Sequence, residues 1–196
     1  MQKSIHEFVA ICAQHLPIQA PIYEFGALQV SGADEEIFRT LFPGLEYIGA
    51  DMREGPGVDR VLDLHSINLP SGVAKSVLCL DTLEHVEYPR KAIEEIHRVL
   101  GPDGILVLSS VFEFPIHGYP NDYWRFTPEG FRSLLRSFSA SYVFSFGRSE
   151  ESPQCVAAVA FKGRVPGLEE FLASCENWSK WNSAVIREMR RLKTID

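Results

Sequence analysis

Between Ile22 and Gly163 short apolar runs alternate with segments whose apolar residues recur every three or four positions. This alternation limits what the chain can fold into more than any single motif does. Strands are predicted at Ile22–Phe25, in "EYIGAD" ending at Asp51, in "DRVLDL" ending at Asp63, at Ser76–Leu80 and in "ILVLSSVF". Helices are predicted over about residues 4–15 and 35–41. Another lies in "PRKAIEEIHRVL", whose apolar positions 92, 93, 96, 99 and 100 keep helical spacing until "GPDG" stops it. A further helix starts with Thr127 as cap and Pro128 in the first position and reaches about Phe138, and a long one closes the chain over about 168–192. "SYVFSFG" and "QCVAAVAFKG" follow one another with no helix between, which predicts an antiparallel hairpin at one edge. The expectation is α/β: a doubly wound, mostly parallel seven-stranded sheet in one domain, residues 1–196, with its core over 20–163.

A chain of 196 residues buries one good core. No apolar run approaches the roughly 18 residues of a membrane span, and the N-terminus lacks the charge pattern and cleavage site of a signal peptide. Cys12, Cys79, Cys155 and Cys175 are widely spaced, with no C-x-x-C pair, so reduced buried thiols and no metal site are expected. A net charge of −7 argues against broad contact with a phosphate backbone. These features together predict a cytoplasmic protein whose partner is neither nucleic acid nor membrane.

In sheets of this kind ligands bind beyond the carboxyl ends of the strands, where the strand order reverses. The residues there are Gly26, Asp51, Asp63, Asp81 and the segment after Phe112, and three of the five positions are aspartates. Asp51 is placed to accept from both hydroxyls of a ribose, unless it is simply a solvated strand-end acid. Asp63 could accept from an adenine amino group. The stretch "YEFGALQVSGADEE" lacks the second glycine of a dinucleotide turn, where a pyrophosphate needs close backbone donors. S-adenosylmethionine (SAM) carries no phosphate; one close backbone approach at Gly26 serves it, and Glu24 offers negative charge to its cationic part.

The segments "YEFGAL", "EYIGADMREGPGVDRVLDLH", "VLCLDTLEHVEYPRKAIEEIHRVLGPDGILVLSS" and "YPNDYWRFTPEGFRSLL" together resemble class I SAM-dependent methyltransferases of the methyltransferase-domain type 11 kind, over about residues 20–163. The resemblance implies an enzyme using SAM, with Glu24 and Gly26 in its first motif and Asp51 on the ribose with Met52 beside it. It sets Asp63 and Leu64 near the adenine, and Asp81 and Thr82 at the methionine end. Leu28 and Val30 stand where the family more commonly has glycine.

Methyl transfer depends on aligning a nucleophile, and an oxygen or amine nucleophile also has a proton to lose. His85, His117, Asp122 and Tyr123 are the catalytic candidates, although His85 could instead cap the following helix. "HGYPNDYWRF" gathers Tyr119, Tyr123, Trp124 and Phe126 beside Arg125. This loop either walls an acceptor pocket, with Tyr123, Trp124 and Arg125 binding substrate, or packs to pin the next helix. The favoured function is methyl transfer to a small-molecule or glycan-precursor acceptor, and the alternative is a catalytically inactive binding or scaffold protein. A nicotinamide oxidoreductase is disfavoured by the missing glycines and the absence of a Tyr-x-x-x-Lys pair. In the last helix, Leu168, Phe171, Leu172, Cys175, Trp178, Trp181, Val185, Met189 and Leu192 form one apolar stripe. It folds back on the sheet and the first helix, or else pairs two copies into a homodimer with Arg187, Arg190, Arg191 and Lys193 on the outer face.

Overall fold

The structure, a computed structural model, describes residues 3–29, 38–118 and 120–193. Its centre is a seven-stranded sheet of β1 (Ile22–Phe25), β2 (Tyr47–Asp51), β3 (Arg60–Val61), β4 (Ala74–Cys79), β5 (Leu100–Val111), β6 (Ala140–Gly147) and β7 (Pro153–Phe161). The spatial order is β3-β2-β1-β4-β5-β7-β6. β1 pairs in parallel with β2 on one side (Phe25 opposite Ala50) and with β4 on the other (Phe25 opposite Cys79). The order therefore reverses at β1, and the crevice beyond the ends of β1 and β4 is where a ligand belongs. β7 runs antiparallel between β5 and β6, which is the expected edge hairpin.

The central strands are buried on both faces, so they read as continuous apolar runs instead of alternating ones. One face of the sheet packs Val77, Leu106 and Ala158 against Ile93 and Ile96 of α2 (Pro89–Val99) and Phe131 of α3 (Pro128–Leu134). The other packs Leu78, Val107 and Val159 against Phe8 of α1 (Lys3–His15) and Phe171 of α4 (Glu169–Lys193). Lys162, just past β7, donates to the carbonyls of His97 and Leu100 at 2.7 and 2.6 Å, closing the C-terminus of α2. Thr127 caps α3 as expected, its hydroxyl oxygen accepting from the Gly130 amide at 3.0 Å. All four cysteines are free and buried.

The first half of α4 spends its apolar stripe inside the fold: Phe171, Cys175 and Trp178 are buried, as is Leu168 just before the helix, and the Trp178 indole donates to the Ser4 carbonyl of α1 at 2.8 Å. Trp181 and Met189 are exposed. Arg190 stays exposed and donates to Glu113 at 2.8 Å. The side chains of Leu192 and Lys193 lie outside what the structure describes.

Several boundaries differ from the sequence reading. "DRVLDL" pairs only through Arg60 and Val61, because Asp63 folds its carboxylate back onto the His65 amide at 2.8 Å and turns the chain out of the ladder. "GPDG" ends α2 without forming a turn: β5 already begins at Leu100 and passes through it with a register shift between Ala74 and Ser76 of β4. α3 gives way at Leu135 to a 3₁₀ turn, Leu135–Ser137. Of the helix expected over 35–41, residues 38–41 form a 3₁₀ turn and the rest lies outside the described residues, as do Val30 and Tyr119.

Candidate active site

A cavity of about 420 Å³ opens beyond the ends of β1, β2 and β4, at the reversal point. At its floor Gly26 has φ +83°, and a Cβ there would lie 2.0 Å from the Thr82 hydroxyl. That hydroxyl stands 2.9 Å from the Leu80 carbonyl and 3.2 Å from the Phe25 carbonyl, tying the ends of β4 and β1 together. Asp81 adopts φ 44°, left-handed backbone that a non-glycine residue holds only under constraint. The constraint is visible. Its amide donates to the Ser109 carbonyl and hydroxyl at 3.1 and 3.0 Å, and the Ser109 hydroxyl donates to its carboxylate at 2.8 Å. Withdrawal from solvent pushes the Asp81 carboxyl above the usual carboxylate range, against the opposing pull of Ser109.

Asp51 ends β2 with one carboxylate oxygen accepting from the Arg53 amide at 3.0 Å, and Met52 beside it is exposed along the cavity wall. Asp63 is held below its ordinary range chiefly by the His65 amide. His65, which the sequence reading passed over, donates from Nδ1 to Asp63 at 2.9 Å and accepts the Tyr88 amide on Nε2 at 3.2 Å. Leu64 is buried beneath them. Leu28, standing where glycine is usual, lines the cavity against Gly55: a Cβ on Gly55 would lie 2.3 Å from the Leu28 Cδ1. The glycine missing from the first loop is matched by one in the facing loop.

At the opposite end Glu84, His85 and His117 converge, with a ligand-capable atom of each within 4.8 Å of the others. His85 Nδ1 donates to the Asn121 carbonyl at 2.6 Å, which leaves Nε2 without the proton, and burial lowers the imidazole below its usual range. The bond ties the turn after β4 to the 113–126 loop; His85 makes no cap on α2, whose N-cap Tyr88 makes no side-chain capping bond. His117 Nδ1 stands 3.1 Å from both the Pro115 carbonyl and the Asp122 carboxylate, so its Nε2 is likewise free. Glu84 is fully buried, accepts from the Ser110 hydroxyl at 2.6 Å, and is pushed up to about 8 by burial, with Asp81 adding to the rise. The sequence reading missed Glu84; an acid directly before the candidate histidine, past a strand end, was the available signal.

Five expected site residues stand outside this cavity. Glu24 accepts from the Tyr47 hydroxyl at 2.8 Å on the far side of β1. Asp122 grips Arg125 through both oxygens and accepts from the His117 amide at 2.8 Å, which holds its carboxyl far below the usual range; a carboxylate so committed is a poor base. Arg125 is used up in turn, donating also to the carbonyls of Phe114, Pro115 and Trp124. Tyr123 and Trp124 donate their amides to the Glu84 carbonyl, and the Trp124 indole donates to that of Val86 at 3.0 Å. Tyr123, Trp124 and Arg125 line a separate, more open depression with Arg190. The loop is thus pinned over the site, and among its described residues only His117 and Phe114 line the cavity.

The sequence profile of the family described as "Methyltransferase domain" matches residues 33–108, a span that includes β2 to β4, α2 and most of β5. Residues 33–108 therefore match a methyltransferase domain, and the chain around them has the class I methyltransferase fold. A search among curated proteins returns no match. Solved structures sharing the methyltransferase fold include the 1,6-didemethyltoxoflavin-N1-methyltransferase of Burkholderia thailandensis, with bound 1,6-didemethyltoxoflavin and S-adenosylhomocysteine. It is 18% identical, with 83% of this chain and 79% of that one covered and a TM-score of 0.61. A SAM-dependent methyltransferase from Archaeoglobus fulgidus is 17% identical, covering 72% and 85%, with a TM-score of 0.54. The CurJ carbon methyltransferase is also 17% identical with a TM-score of 0.54; the match covers 73% of this chain and 48% of that one. The cofactor of such a domain is SAM, and the cavity suits it. Carboxylates line its floor and one flank, and Gly26 lies where any side chain would strike Thr82. Among the described residues no helix is long and apolar enough to cross a membrane.

Proposed function

We propose that the chain transfers the SAM methyl group to a small-molecule or glycan-precursor acceptor held at the His85–His117 end of the cavity. SAM sets its ribose on Asp51 beside Met52, its adenine near Asp63 and Leu64, and its methionine end over Asp81 and Thr82. The observation that carries this reading is one cavity that joins Asp51, Asp63 and Asp81 to two imidazoles whose Nδ1 atoms are engaged by oxygen acceptors. The acceptor would be aligned under the 113–126 loop, where alignment supplies most of the rate. A free imidazole there takes the acceptor's proton. The bound 1,6-didemethyltoxoflavin of the Burkholderia enzyme supports a small acceptor, and the seating of Leu28 against Gly55 supports a working cofactor loop over an inactive scaffold. Incubating the protein with labelled SAM and a small-metabolite extract tests the reading. Release of S-adenosylhomocysteine with label in a small product is expected, with SAM affinity in Asp51→Ala weakened by about 1.5 to 3 kcal/mol. SAM binding without turnover on any fraction would turn the reading to the scaffold alternative.

A further inference from the structure

We infer that Glu84, His85 and His117 form a binding site for one divalent first-row transition cation at the acceptor end of the cavity. Three independent features point there. The donor atoms converge from two segments far apart in sequence, the turn after β4 and the loop after β5. Both imidazoles have their Nδ1 hydrogens held by oxygen acceptors, Asn121 for His85 and Pro115 with Asp122 for His117. That arrangement fixes the tautomer and presents the Nε2 lone pair, as outer hydrogen bonds do for metal-bound histidine. Finally, the Glu84 carboxylate has one oxygen engaged by Ser110 while the other, Oε1, is buried without a hydrogen-bond partner. A buried orphan of this kind costs about 1 to 3 kcal/mol unless something meets it, and a cation bound by the neighbouring imidazoles would do so.

The donor chemistry selects the ion. Two imidazoles and a carboxylate suit Zn²⁺, Fe²⁺, Co²⁺ or Mn²⁺, whereas Mg²⁺ and Ca²⁺ favour all-oxygen shells. Donors on one zinc at roughly 2.1 Å stand about 3.4 Å apart, so a set spread over 4.8 Å has to draw in by about 1.4 Å. Both histidines sit on a turn and a loop instead of on strands, which allows that movement. Three protein donors leave a position open, as catalytic sites do. If the methyl-transfer reading above holds, that position would take an oxygen or nitrogen of the acceptor, which narrows the substrate class to molecules able to coordinate a metal.

The test is metal uptake by the untagged full chain without SAM or acceptor, so its result is independent of methyl transfer. Protein stripped by chelator is dialysed with ZnCl2 or MnCl2, and bound metal is counted by mass spectrometry and titrated by calorimetry. One equivalent of Zn²⁺ is expected, with MgCl2 giving none. His85→Ala and His117→Ala should each weaken binding at least tenfold while keeping the wild-type circular dichroism spectrum, and His15→Ala, remote from the cavity, should bind as wild type. Both histidine variants are used because Glu84→Gln sits in the core and could fail on folding alone. Less than a tenth of an equivalent in the wild type overturns the inference. So does undiminished binding in both folded histidine variants.

Discussion

Gly26→Ala tests the idea that a single close approach, Gly26 to Thr82, sets the cofactor floor. The new Cβ would sit 2.0 Å from the Thr82 Oγ1 and 2.8 Å from its Cγ2, on a residue at φ +83°. Left-handed backbone costs an alanine about 1 to 2 kcal/mol, and forcing Thr82 aside adds about 1 to 3 kcal/mol, for a working value near 3 kcal/mol. In a chain of this size that lowers the melting temperature by roughly 6 to 12 °C. Thr82→Ala alone gives up the hydroxyl's bond to the Leu80 or Phe25 carbonyl, for about 1 kcal/mol.

The decisive measurement is the pair together. Thr82→Ala deletes the two nearest atoms, Oγ1 and Cγ2, and leaves only the Thr82 Cβ at 3.0 Å, so the double variant keeps the backbone strain and loses most of the clash. Its destabilisation should be about 2 to 3 kcal/mol where additivity demands about 4, a coupling of roughly 1.5 kcal/mol in the double-mutant cycle. Urea unfolding of the four proteins gives the cycle, and calorimetry with SAM should show affinity reduced at least tenfold in Gly26→Ala. Additivity within about 0.5 kcal/mol would refute the contact as the cause, and unchanged SAM affinity in a folded Gly26→Ala would remove this floor from the cofactor site.

Trp124→Ala should lower stability by about 1 to 2 kcal/mol, since its indole hydrogen bond and part of its packing are lost. Turnover per folded molecule should fall several-fold with SAM affinity nearly intact, because the 113–126 loop that carries His117 is released from the Val86 carbonyl. Equal turnover in the folded fraction would show that the loop plays no part in catalysis. In solution, light scattering at micromolar concentration should give a mass near 22.1 kDa, because the buried half of the α4 stripe is spent on the chain's own sheet and α1. A mass near twice that, lost on truncation after Gly167, would establish the homodimer instead.

The parts of this molecule that were legible in its sequence are those where one local rule decides the outcome. β1 and the Thr127 cap follow from short-range chemistry, and Asp51, Asp63 and Asp81 were placed by the rule that ligands gather at strand ends. The acceptor end was harder because its residues are defined by partners far away in the chain. Asp122 and Arg125 look like free catalytic and anion-binding groups until the loop folds and each satisfies the other, with 2.7 Å between Nη2 and Oδ2. Glu84 looks like a surface acid of a polar turn until Tyr123 and Trp124 close over its backbone and Ser110 of β5 meets its carboxylate. The same closure that ties Asp122 to Arg125 orients His117 through its amide and Nδ1, and a ligand-capable atom of His117 lies within 4.8 Å of His85 and Glu84. We therefore expect the aromatic, charged loop to act by positioning one histidine. That role predicts a distinction between its residues: Asp122→Asn should impair turnover through His117, whereas removing the Tyr123 hydroxyl, whose described partner is the exposed Asn121 amide at 2.9 Å, should leave turnover unchanged.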